Sequence, residues 1–243
     1  MYRPRVPDRP PFPSRRREFL LGCRDEAPIL LGVIPFGMIY GVVALGAGLP
    51  PFTAQAMSSV VFAGSAQFIA AQLIHEGAPA VAVVTTVFLV NLRHALYSAS
   101  VAPYVKHLGP GWKGILSYLL TDEAYAVAIS RYRRDGQGGE VSPLRHWYFL
   151  GAGLALWTTW QASTALGVFF GALVPRSWSL DFALPLTFIA LVLPSLKDRG
   201  GGAAAISAGV LAVLAAGLPY KLGLMLSAVA GIAVGLAAER RGA

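Results

Sequence analysis

The chain has 243 residues, 55% of them hydrophobic and only 13% charged, with a mean hydropathy of +0.57. A water-soluble domain carries roughly a quarter charged residues, so a soluble fold is excluded, and the length is better counted in bilayer spans of about 20 apolar residues, with room for about eight. The net charge of +8 sits in short clusters between long apolar runs, which is how topology-setting charges are placed; no basic face interleaved with aromatics exists for nucleic acid.

Residues 1–24 are rich in arginine and proline, including Pro4, Pro7, Pro10, Pro11 and Pro13. They lack the apolar core and cleavage site of a signal peptide and read as a disordered basic cytoplasmic tail, with a transmembrane domain over 25–243. Eight apolar runs follow. The first, 27–47, contains Ile34-Pro35-Phe36-Gly37; proline removes a helix hydrogen bond, so a break or kink is expected at Pro35 and Gly37. The second, 54–74, carries Ser58, Ser59, Gly64, Ser65 and Gln67, and Gly64 and Ser65 let the backbone loosen. The third, 79–102, holds Asn91, Arg93 and His94, and the fourth, 113–130, holds Thr121, Asp122 and Glu123. After the fifth, 148–173, the short sixth run, 182–195, is opened by Asp181 and bracketed by Pro185 and Pro194. It is kinked, tilted or only partly helical; Asp181 caps it or receives a proton or cation. Runs 203–218 and 222–238 complete an all-α polytopic bundle.

Charge supports this count. With eight crossings and both termini cytoplasmic, the inner side holds the seven arginines of the tail, Arg131, Arg133, Arg134, Arg145, Lys197, Arg199, Arg240 and Arg241. Only Lys106, Lys113, Arg176 and Lys221 fall outside, the asymmetry of the positive-inside rule. Glycine pairs four residues apart, Gly37/Gly41, Gly167/Gly171 and Gly231/Gly235, share a helix face and predict close helix contacts, because packing over small residues replaces the hydrophobic effect in lipid.

Charges at bilayer depth are costly, so they face protein, find a partner or line water. At 1.5 Å per residue, Arg93 lies about 21 Å and Asp122 about 16 Å from the inner surface of a core about 30 Å thick. These depths predict an ion pair of Arg93 with Asp122 or Glu123. It serves helix packing alone, or packing together with substrate or proton handling; the sequence leaves both open. Cys23 is the single cysteine, so no internal disulfide exists, and neither metal-ligand spacing nor a cofactor motif is found.

The chain resembles the AzlC family, the large subunit of branched-chain amino-acid exporters. The resemblance is carried by Gly32-Val-Ile-Pro35-Phe-Gly37-Met-Ile-Tyr-Gly41, Phe62-Ala-Gly64-Ser65-Ala-Gln67-Phe68, Asn91-Leu-Arg93-His94-Ala-Leu-Tyr97-Ser98, Thr121-Asp122-Glu123-Ala-Tyr125-Ala and Asp181-Phe182-Ala. In order, these cover nearly the whole chain after the tail; His94 departs from the aromatic expected at its place. The resemblance implies a multi-pass permease of the inner membrane. It also implies a small AzlD-type membrane partner and export of leucine, isoleucine, valine or similar neutral amino acids coupled to the proton gradient. The candidate substrate or coupling residues are then Gly64, Ser65, Gln67, Asn91, Arg93, His94, Asp122, Glu123 and Asp181.

Two other readings compete. A passive channel for a small polar solute favours rings of identical groups, whereas these polar sites are dissimilar and dispersed. An intramembrane hydrolase would use Ser65 with His94 as base, but Ala63-Gly64-Ser65-Ala66 lacks a glycine after the serine and no His-Glu-x-x-His is present.

Overall fold

In a computed structural model, the described residues are 14–136, 142–170, 199–218 and 222–242, and all of their regular structure is α-helical. The helices are α1 (Arg15–Gly46), α2 (Pro51–Val61), α3 (Gly64–His75), α4 (Ala80–Asn91), α5 (Arg93–Val105), α6 (Pro110–Tyr118), α7 (Asp122–Gly136), α8 (Arg145–Phe170), α9 (Arg199–Leu214) and α10 (Leu222–Gly242).

Two expectations are corrected in α1. Residues 15–24, read as part of a disordered tail, are its first turns. Ser14 ends the proline-rich stretch and accepts the Arg17 N–H on its hydroxyl at 3.2 Å, a side-chain cap of the kind that starts helices. Nor does the chain break at Pro35 or Gly37: α1 runs through both as one helix. A single missing N–H is tolerated in a long helix packed against neighbours. The interruptions fall elsewhere. The second apolar run splits at Phe62–Ala63 into α2 and α3, and the fourth splits at Leu119–Thr121 into α6 and α7.

Among the described residues, three helical stretches are long and apolar enough to cross a bilayer: Arg15–Gly46, Ala80–Val105 and Leu222–Glu239. The middle one joins α4 to α5 through Leu92, which keeps right-handed helical dihedrals. The second and fourth runs, halved by their breaks, form shorter helices. α8 is long enough, but Trp157, Thr158, Thr159, Trp160, Gln161, Ser163 and Thr164 dilute its apolar character. α9 is apolar but short. The sixth run and Asp181 lie outside the described residues.

The chain divides into two compact units, one of Met1–Leu31 with His94–Thr159, the other of Gly32–Arg93 with Trp160–Ala243. In the first, the N-terminal parts of α1 and α8 meet backbone to backbone: a Cβ on Gly22 would strike the Tyr148 carbonyl, and one on Gly151 the Phe19 carbonyl. In the same unit Leu116, Leu119, Ala124, Ala128, Tyr132 and Phe149 are buried. In the second unit the same device holds the later parts of the two helices, with Gly41 against Thr164 and Val168, and Gly167 against Met38. Gly231 and Gly235 likewise receive Ala208 and Ala204 of α9. Small residues allow this approach, as helix association in lipid requires. The outward faces are apolar: Val81, Val84 and Phe88 of α4, Val210 and Val213 of α9, and Val229 and Ile232 of α10 are exposed.

Candidate functional site

In the second unit the candidate site grows from the break between α2 and α3. Phe62 closes α2 in the left-handed region (φ 42°, ψ 45°) and Ala63 is extended. For a bulky side chain that geometry costs roughly 1–2 kcal/mol, and it persists because Phe62 and Ala63 are both buried. The ladder of α3 restarts at Gln67, whose N–H meets the Ala63 carbonyl at 3.0 Å, and no side chain caps the end. Helical geometry therefore turns the Gly64, Ser65 and Ala66 N–H groups outward from the helix start, where partial positive charge collects.

Arg93 reaches this end: its Nη2 donates to Ser65 Oγ at 2.7 Å. Beside it stands an aromatic cluster. Phe36 and Phe68 have ring centroids 4.8 Å apart, Phe36 and Trp160 5.8 Å, and Tyr40 stacks on Trp160 at 6.1 Å. Gly64 is wedged against Phe36 and Trp160. Two buried polar groups here are unspent. Gln67, fully buried, lies close to the Tyr40 hydroxyl, but neither its Oε1 nor its Nε2 makes a hydrogen bond of acceptable geometry; the Tyr40 hydroxyl donates instead to the Ala54 carbonyl at 3.1 Å. The Trp160 Nε1–H is also without a partner. Native interiors leave few such groups unsatisfied, and those that remain call for an explanation.

Sequence reasoning missed the polar seam beneath this cluster. Gln161 of α8 accepts from Gln55 Nε2 and Ser59 Oγ on Oε1, both at 2.9 Å, and donates to the Ser58 carbonyl at 3.1 Å, while Ser58 and Thr164 share a hydrogen bond of 3.0 Å. Ser58 and Ser59 stand out in the sequence as polar interruptions, but their partners are about a hundred residues away, and no local pattern pairs them.

In the first unit the break between α6 and α7 places Thr121 so that its Oγ1 accepts the Ala124 N–H at 3.3 Å. Asp122 and Glu123 occupy the first turn of α7, where acidic side chains complement the helix dipole. Tyr125 stacks on Tyr97 at 4.5 Å and donates to Ser100 at 3.0 Å, and His94 stands edge-on to Tyr97. Also missed was Glu26 of α1, which is fully buried with neither carboxyl oxygen hydrogen-bonded. It lay just outside the first apolar run as read from hydropathy.

Of the candidate residues, the structure thus brings Gly64, Ser65, Gln67 and Arg93 together in one unit, with Asn91 ending α4 in the same unit. His94, Asp122 and Glu123 stand in the other. No group of His, Cys, Asp and Glu suited to a metal ion occurs among the described residues. Ser65 accepts from a guanidinium, which cannot take its proton, so Arg93 does not serve it as a catalytic base.

Comparison with known proteins follows from these segments. The AzlC protein family matches residues 28–174, a stretch that contains both helix breaks. Among similar proteins, an uncharacterized membrane protein of Archaeoglobus fulgidus is 30% identical over 84% of this chain and 91% of its own. Inner membrane protein YgaZ of Escherichia coli is 26% identical over 74% of each chain. The branched-chain amino acid transport protein AzlC of Bacillus subtilis is 25% identical over 71% of this chain and 66% of its own. No solved structure matches. The chain is therefore a multi-pass inner-membrane protein that belongs to the AzlC family, a transport family and not an enzyme family.

Proposed function

We propose that the chain is a permease subunit that exports branched-chain or similar neutral amino acids, coupled to the proton gradient and working with a small AzlD-type membrane subunit. The observation that carries this reading is the juxtaposition at the α2–α3 break. Arg93, held at Ser65, and the outward N–H groups of α3 form a carboxylate-binding corner beside the apolar rings of Phe36, Phe68 and Trp160. A zwitterion with an apolar side chain needs these two surfaces side by side. Interrupted helices are where transporters place such anionic groups. The unspent Gln67 amide and Trp160 N–H supply further hydrogen bonds to a polar passenger.

Within the same unit the substrate ammonium would meet Asn91. The name of the Bacillus subtilis relative supports the substrate class. The test is counterflow of labelled leucine, isoleucine and valine in proteoliposomes holding the purified chain with its small partner, with and without an imposed pH gradient. Saturable exchange of these amino acids, accelerated uphill by the gradient, is expected. Absence of exchange for all three would overturn the reading, and flux that never saturates and shows no counter-transport would replace it with a channel.

A further inference from the structure

The most unusual side chain outside the Arg93 corner is Glu26. It is 0% exposed, and neither Oε1 nor Oε2 has a hydrogen-bond partner. A carboxylate withdrawn from water with no donor is strongly disfavoured, and no packing need is met by an ionisable group that an apolar one would not meet. The titratable groups set against it are few. Glu123, in the first turn of α7, lies close enough to repel it when both are charged. Cys23, one turn earlier on α1, is also within electrostatic reach, and its thiol donates to the Gly151 carbonyl of α8 at 3.3 Å. The adjacent Asp25 is taken up by the Tyr148 hydroxyl at 2.7 Å. No cation among the described residues pairs with Glu26.

We propose that Glu26 carries one exchangeable proton, and that this carboxyl is where proton movement is coupled to transport. A carboxyl that is 0% exposed, with no hydrogen-bond partner on either oxygen, holds its proton rather than ionise. When Glu26 opens to water on one side, the neutral acid releases its proton to that water and becomes a carboxylate. When it opens to the other side, the carboxylate takes a proton back. One O–H bond breaks and one forms, and a single proton crosses per cycle. The inference rests on the transport reading for its coupling role, but not for its protonation.

Dicyclohexylcarbodiimide reacts with protonated carboxyls in apolar surroundings. The full chain, reconstituted with its partner, is treated from acid to alkaline pH, and Glu26 modification is read by mass spectrometry. Glu26 is expected to be labelled at neutral pH, with labelling that declines as pH rises. In transport, Glu26→Gln is expected to lose gradient-driven accumulation by about tenfold or more while counterflow stays within about threefold of the parent. Glu26→Asp, which keeps the titratable group, recovers part of the loss and guards against a variant that merely misfolds. A Glu26 that is unlabelled at every pH, or a Glu26→Gln protein that accumulates substrate as the parent does, would overturn the proposal. Should the parent move no branched-chain amino acid at all while Glu26 labels as described, the substrate reading fails and the proton site stands.

Discussion

Gly64 offers the sharpest test of the site. A methyl built on it would lie 2.9 Å from Phe36 Cε1 and 3.0 Å from Trp160 Cη2, where carbon contacts are optimal near about 3.5–4.0 Å. Both rings would have to withdraw by about half an ångström or more. Neither has room to do so, since Phe36 is packed on Phe68 at 4.8 Å and Trp160 on Tyr40 at 6.1 Å. Overpacking of this kind costs about 1–3 kcal/mol. If the cluster receives the substrate's apolar side chain, roughly 1.4 kcal/mol of that cost appearing in binding is a tenfold loss of affinity. Gly64→Ala is therefore expected to raise the KM for leucine counterflow about tenfold and to lower the melting temperature by about 2–4 °C per kcal/mol. Gly32→Ala is the control, because a Cβ there meets nothing within 4 Å and alanine is the better helix former by about 1 kcal/mol. A folded Gly64→Ala protein with the parent's KM would refute the placement of substrate at this cluster.

Three further outcomes follow from the same geometry. Ser65→Ala removes the 2.7 Å partner of the Arg93 guanidinium; a bond to a charged group is worth about 1.5–3 kcal/mol, so counterflow should weaken about tenfold or more, whereas Ser65→Thr should retain it, and unchanged kinetics in the alanine variant would remove Ser65 from the site. Gly41→Ala sets a methyl 2.6 Å from the Thr164 carbonyl oxygen and 2.7 Å from the Val168 nitrogen; backbone yields less readily than a ring, so the loss should reach the upper end of about 1–3 kcal/mol, and a melting temperature equal to that of Gly32→Ala would contradict the α1–α8 seam. His146, ahead of the apolar part of α8, has its protonated form disfavoured first by burial and then by His107, Arg15 and Arg145. Because acid then favours the unfolded chain, its stability is full above about pH 6.5 and declines as pH falls below that value; His146→Gln should flatten the decline in a melting series, and equal acid sensitivity in both proteins would refute the assignment.

Composition and apolar runs alone determine that this chain lives in a bilayer and is helical, because too few charges exist to solvate a surface. The glycine spacings Gly37/Gly41 and Gly231/Gly235 foretell close helix contacts for a similarly local reason: four residues make one turn, so the pair shares a face. The polar motifs around Gly64–Gln67, Asn91–His94 and Thr121–Glu123 are also legible, since any polar group within an apolar run is costly and must be explained. Where those runs break is a different matter. Pro35 looks like the interruption, yet α1 absorbs it, while Phe62 takes a left-handed backbone that no local preference favours. Tertiary packing decides both, by burying Phe62 and by seating α1 on α8 over Gly41. The same holds for Glu26, whose neighbours in sequence are charged and suggest a solvated helix end. Only the fold closes off water from it, and that withdrawal from solvent turns an ordinary glutamate into a candidate proton carrier.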